Sequence, residues 1–142
     1  MLPTVLVVEA RSEPRDAHST VLREAGFDVI KARDAEAARA TLESIVPSVL
    51  VAGLNSRTRI DHLALCHDVR RDPRTQQIPI LLTTESVGEQ DIELSTDPGA
   101  LVLSAAPTEG AKLVAAVQGV LAVRSPERLE LSEEQTISKR SA

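Results

Sequence analysis

Thr4-Val-Leu-Val-Val-Glu-Ala-Arg11 decides the fold. A short, largely β-branched apolar run stops abruptly at charged residues. Such a run, with no polar alternation, reads as a strand buried on both faces, the kind that lies inside a parallel sheet. Related runs recur downstream at Asp28-Val-Ile-Lys-Ala32, Ser48-Val-Leu-Val-Ala52, Ile80-Leu-Leu-Thr-Thr84 and Ala100-Leu-Val-Leu-Ser104. The first, third and fifth are apolar nearly throughout, which predicts burial on both faces. The second carries Asp28 and Lys31 and is expected at a sheet edge, where charge discourages pairing with other chains.

Helical patterns fill the intervals. Pro14–Ala25 places Ala17, Val21, Leu22 and Ala25 on one stripe and stops at Gly26. Asp34 is the expected N-cap of Ala35–Ile45, whose buried side is Ala38, Leu42 and Ile45. Ile60–Arg71 presents Leu63, Cys66 and Val69, and ends at Asp72-Pro73. Gly88–Thr96 carries only one turn of apolar residues, Ile92 and Leu94, and is expected to be short. Thr108–Val123, with Thr108 as its cap, has a wide apolar face of Leu113, Val114, Val117, Val120 and Leu121. Alternating strands and helices with short connections imply βαβ units. The expected fold class is α/β: a flavodoxin-like, doubly wound (βα)5 domain with a five-stranded parallel sheet, order 2-1-3-4-5, and helices on both faces. Residues 1–123 form this domain. Residues 124–142 are a polar tail of balanced charge without periodicity, expected to be disordered, with Leu129, Leu131 and Ile137 as its apolar residues.

Composition narrows the function. The 142 residues carry 16 Lys and Arg against 21 Asp and Glu, a formal net charge of −5, which offers no general attraction to nucleic acid or anionic membrane. Phe27 is the sole aromatic residue, so no platform exists on which single-stranded bases could stack. One cysteine, Cys66, cannot form an internal disulfide. No signal-peptide pattern and no membrane-length apolar run is present, so a cytoplasmic location is expected.

In an open α/β sheet, chemistry collects at the C-terminal ends of the strands. The loop Glu9-Ala-Arg-Ser-Glu-Pro14 has no glycine, so it cannot cradle a pyrophosphate, and no Walker-type loop occurs. A magnesium site needs converging carboxylates, and only Glu9 is well placed, with Glu85 as a possible second and Arg11 as a candidate salt-bridge partner. His62 and Cys66 share a helix face and His67 adjoins them, but no further ligand completes a zinc site. Cys66 is expected in the core. His62, His67 and His18 are expected at the surface.

The layout resembles the receiver domain of bacterial response regulators over residues 4–122. The matching segments are Val5-Leu-Val-Val8, Leu22-Arg-Glu-Ala-Gly-Phe-Asp-Val29, Pro47-Ser-Val-Leu-Val51, Val69-Arg-Arg-Asp-Pro73, Ile78-Pro-Ile-Leu-Leu82 and Pro98-Gly-Ala100. The resemblance implies phosphoryl transfer from a histidine kinase to an aspartate. An acidic pair holding magnesium, a hydroxyl and a lysine would assist. On this chain the acidic pair becomes Glu9 and Ala10, and the acceptor becomes Gly53. The hydroxyl is retained as Thr84. The lysine becomes Ala106, followed by Pro107, and the aromatic of the fifth strand becomes Leu103. The loop after Gly53 is one residue longer and lacks the family's proline. Without a phosphoryl group, a buried lysine at 106 would cost on the order of several kcal/mol, and alanine removes that cost.

The expectation is a degenerate pseudo-receiver, not an enzyme, with no cofactor and no magnesium. It would act as a stand-alone, phosphorylation-independent adaptor of a two-component phosphorelay. Expected partners are signalling proteins such as a histidine kinase or a response-regulator effector, or a second copy of the chain, with neither nucleic acid nor membrane. The segments Gly88–Thr96, Ala100–Ser104 and Thr108–Val123 form the candidate interaction face, represented by Leu103, Lys112 and Gln118. The alternative is a small-molecule sensor using the space near Gly53, Thr84 and Ala106.

Overall fold

The computed structural model describes residues 2–85, 88–96, 98–106 and 108–124. Of the expected tail, 124–142, Arg124 instead ends the last helix, while residues 125–142, like Pro107, lie outside the described residues. Strands β1 (Thr4–Val8), β2 (Asp28–Ala32), β3 (Val49–Gly53), β4 (Ile80–Thr84) and β5 (Leu101–Ser104) alternate with helices α1 (Ser12–Glu24), α2 (Ala35–Ser44), α3 (Arg59–Arg71), α4 (Glu89–Thr96) and α5 (Gly110–Arg124). The strands form one parallel sheet in the order β2-β1-β3-β4-β5, the doubly wound arrangement expected.

Strand alternation divides the core into two layers. Leu6, Val8, Leu50, Ala52, Ile80 and Leu82 face Ala38, Leu42, Leu63, Cys66 and Val69 of α2 and α3. Val5, Val7, Val49, Val51 and Leu81 face Leu22 of α1 and Leu113 and Val117 of α5. Phe27 closes the second layer, and Gly26 before it takes φ 98°, a backbone that a side chain would strain. The α1–α5 contact needs a glycine as well, because a Cβ on Gly110 would lie 2.8 Å from Val21 Cγ2.

The local signals act as read at several points. The Asp34 carboxylate accepts the Ala37 N–H at 2.7 Å and caps α2. Cys66 is in the core, where burial pushes its thiol up to about 12 and makes it a poor nucleophile or metal ligand. Elsewhere tertiary structure overrides them. The buried stripe of α1 is Pro14, His18, Ser19 and Leu22, and Ala25 is exposed. β5 is an outer strand bonded only to β4, so Leu101 is 58% exposed rather than buried. Helix α5 starts at Gly110 and not at Thr108. Glu109 organises that start, its Oε1 accepting the Ala106 N–H at 3.0 Å and its carbonyl accepting the Lys112 N–H at 3.1 Å.

Arg70 clasps one end of the molecule. Its Nε donates to the Pro98 carbonyl at 2.6 Å, its Nη1 to those of Ile78 at 2.6 Å and Gln76 at 3.0 Å, and its Nη2 to that of Gly99 at 3.3 Å. One guanidinium thus ties the end of α3 to the connections that enter β4 and β5. Arg70→Leu keeps the packing of the stem but leaves these carbonyls without their charged donor. It should lower the unfolding free energy by about 2–4 kcal/mol. Urea denaturation followed by far-UV circular dichroism is the measurement, since the chain has no Trp or Tyr to fluoresce.

Candidate functional site

The C-terminal ends of β1, β3 and β4 bring the expected residues to one rim. Glu9 follows β1 and is 2% exposed although it is charged. Its backbone N–H donates to the Ala32 carbonyl at 3.0 Å, which fixes the residue at the sheet's end. Gly53 ends β3, and a Cβ built there would overlap Glu9 Oε2 and lie 2.7 Å from Glu9 Cδ. The Glu9 carboxylate therefore occupies the volume that a side chain at 53 would need.

Arg11 makes this burial tolerable. Its Nε and its backbone N–H both donate to Glu9 Oε1, at 3.1 and 3.2 Å. Its Nη1 donates to Glu85 Oε1 at 2.8 Å, and these bonds, the one to Glu85 foremost, raise the Arg11 pKa. The expected Arg11–Glu9 pair is thus present, and Glu85 enters the site as a partner of Arg11. Arg15 reinforces the loop, its Nη1 donating to the Glu9 carbonyl at 3.0 Å. Thr84 is buried at the end of β4, Ala106 is half-buried after β5 and Ala10 is exposed. Of the candidate face residues, Lys112 and Gln118 are exposed, whereas Leu103 is half-buried against the α1–α5 core layer.

Two histidines contradict the surface assignment. His62 is 1% exposed, and its Nδ1 lies 2.6 Å from the Gly53 carbonyl, which the Thr58 hydroxyl also approaches at 3.3 Å. It shares the face of α3 that buries Cys66 and Val69, and the backbone carbonyl satisfies the polar atom that face would otherwise leave unpaired. His18 is 3% exposed and lies against the backbone of Ala105 and Ala106, with Nε2 unpartnered. Desolvation holds its pKa below the usual 6.5, against the opposing pull of Glu9. The signal was present as the i, i+4, i+8 series Pro14, His18, Leu22. His67 is half-buried. Among the described residues no cluster of three or more His, Cys, Asp or Glu is arranged to hold a metal ion. Nor is any helix among them long and apolar enough to cross a membrane.

The fold defines the class: this is a receiver-like domain. A putative response regulator from Chloroflexus aurantiacus superimposes with TM-score 0.73 at 28% identity, covering 86% of this chain and 99% of that one. The chemotaxis response regulator CheY4 of Vibrio cholerae gives TM-score 0.70 at 22% identity, covering 82% of this chain and 99% of that one. In sequence, the chain is similar to the DNA-binding dual master transcriptional regulator RpaA of Synechocystis sp., at 28% identity over 120 residues. That match covers 84% of this chain and 49% of RpaA, so the chain spans about half the length of this curated relative. No family model matches the chain.

Two outcomes test this geometry. Gly53→Asp forces Glu9 to swing away and break its bonds to Arg11, and should destabilise the protein by about 2 kcal/mol. Adding Glu9→Ala should recover much of that loss, giving a coupling of at least about 1 kcal/mol in a double-mutant cycle; additive effects would refute the overlap. His18 sets a pH response. Because its folded pKa is depressed, the unfolded chain binds the proton first as pH falls. Its contribution is complete above about pH 6.5 and is lost below it. His18→Gln should flatten the fall in urea midpoint between about pH 7 and 5 relative to the parent protein.

Proposed function

We propose that the chain is a receiver-like signalling protein of the two-component type that works by binding partner proteins, without phosphoryl transfer of its own. The observation that carries this reading is the Glu9 carboxylate lying in the side-chain volume of Gly53, bonded to Arg11. Glycine supplies no nucleophile at the end of β3, and the space for one is filled.

The donor set does not fit magnesium either. A hard divalent ion takes several oxygen ligands, usually more than one carboxylate. Here Ala10 and Gly53 offer no side-chain oxygen, and Oε1 of Glu9 already accepts two hydrogen bonds from a cationic residue. We therefore read the domain as a binding module and not an enzyme, with no cofactor. A net charge of −5 gives no support for carrying the DNA binding of RpaA over to this chain.

The surface that favours protein partners is the outer edge of the sheet. Leu101 on β5 and Val123 on α5 are each 58% exposed. They line an apolar groove of about 380 Å³ with Ala116, Gly119 and Val120. The backbone of β5 beyond it is bonded on one side only. A histidine kinase or a response-regulator effector is the partner class this reading favours, with Lys112 and Gln118 exposed on the same helix.

The test combines two measurements. After incubation with a small-molecule phosphodonor and magnesium, intact mass spectrometry should show no phosphoryl adduct; an adduct refutes the reading. Capture from native lysate should enrich the same signalling protein with and without the phosphodonor, and Leu101→Asp should abolish that capture. Capture that depends on the phosphodonor would also refute it.

A further inference from the structure

The apolar groove beside β5 owes its depth to a missing side chain. Gly119 lies inside α5 and lines the groove with Ala116, Val120 and Val123, opposite Leu101 and Ile80 of the sheet. A Cβ built on Gly119 would meet no atom within 4 Å, so no close contact requires a glycine there. Glycine in a helix interior weakens the helix relative to alanine. What this one supplies is an open recess. Strand alternation puts Leu101 and Leu103 on the same face of β5. Leu103 packs against the α1–α5 core layer, whereas Leu101, like Val123, is 58% exposed at the recess.

The chain supplies apolar groups within range of it. Helix α5 ends at Arg124, next to Val123 of the groove wall, and residues 125–142 follow. Leu129 and Leu131 stand two apart, so in an extended chain both side chains project to one side and Glu130 to the other. Leu129 is five residues beyond Arg124, a reach of at most about 17 Å. The four residues of β5 span about 13 Å, so every part of the groove is accessible from that tether. Nine residues line the groove. A stable interface between proteins uses about 20–30 on each side, so the groove by itself suits a peptide segment better than a second copy of the chain. A tethered segment also meets it at an effective concentration of millimolar order, without the translational and rotational cost that a free molecule bears.

We infer that residues 127–132 of this same chain dock in the groove, with Leu129 and Leu131 filling the recess at Gly119 and covering Leu101 and Val123. The driving force is removal of apolar surface from water on both partners. Resting on the preceding reading of this groove as the partner surface, docking makes the segment a competitor of the partner protein. A partner must displace it, and its apparent affinity falls by the fraction of chains in which the groove is covered.

Methyl-resolved NMR of the full chain reads the contact directly. Nuclear Overhauser cross-peaks are expected between the methyls of Leu129 or Leu131 and those of Leu101, Val120 or Val123. They should vanish in Gly119→Leu, which fills the recess with a good helix former. They should vanish as well in Leu129→Asp/Leu131→Asp, which alters no residue of the folded domain. Absence of the cross-peaks from the parent, or their persistence in Gly119→Leu, overturns the inference. So does their appearance between differently labelled chains in a mixed sample, which would assign the groove to a second copy. In the capture experiment, Leu129→Asp/Leu131→Asp should retain at least about threefold more partner than the parent, and unchanged retention overturns the competition. A parent that captures nothing sinks the preceding reading alone, because the cross-peaks are read with no partner present. Capture by the parent without the cross-peaks sinks this inference alone.

Discussion

A carboxylate buried at the end of a strand must find a cation or lose its charge, because desolvating it alone costs several kcal/mol even after relaxation. Glu9 finds Arg11, two residues along the same loop, and finds room only because residue 53 has no side chain. Much of the rim follows from that arrangement. Arg11 carries the link on to Glu85 after β4, and Arg15 braces the Glu9 carbonyl from the first turns of α1. On the other side, the Gly53 carbonyl is met by His62 and Thr58, which join β3 to its following helix. Two polar groups thus meet beside Gly53, one linking the ends of β1 and β4 and the other linking β3 to α3.

The fold was legible because its signals are periodic and local. Short apolar runs separated by 3.6-period stripes, with Asp34 as a cap and Gly26 as a stop, leave few topologies other than a doubly wound sheet. The errors lie where an element's environment depends on something distant. The fifth run is as apolar as the first, yet nothing in its residues says that no strand follows on its far side, so its exposure could not be read. The start of α5 is set by Glu109 reaching back to Ala106, not by the hydroxyl at 108.

The site divides in the same way. Residue identities at the strand ends show that Ala10, Gly53 and Ala106 bring no carboxylate and no amine to the rim. They do not reveal where Glu9 points, because that depends on an empty volume contributed by a different strand. The histidines failed for a related reason. Polarity alone points His62 to solvent, although it lies on the same stripe of α3 as the buried Cys66. The deciding fact is the carbonyl of Gly53, nine residues earlier, and only the folded chain places it within reach.

The rim is coherent as electrostatics. A site that gathers carboxylates is stable only with a metal or protons to offset their repulsion. Here the buried Glu9 carboxylate is bonded to Arg11, its backbone carbonyl accepts from Arg15, and Ala106 brings no cation. His18 lies against that loop, where desolvation disfavours the imidazolium. Arg11 offsets the Glu9 charge and ties the end of β1 to that of β4. Away from this rim, β5 is bonded on one side only among the described residues and lies beside the apolar groove lined by Leu101 and Val123.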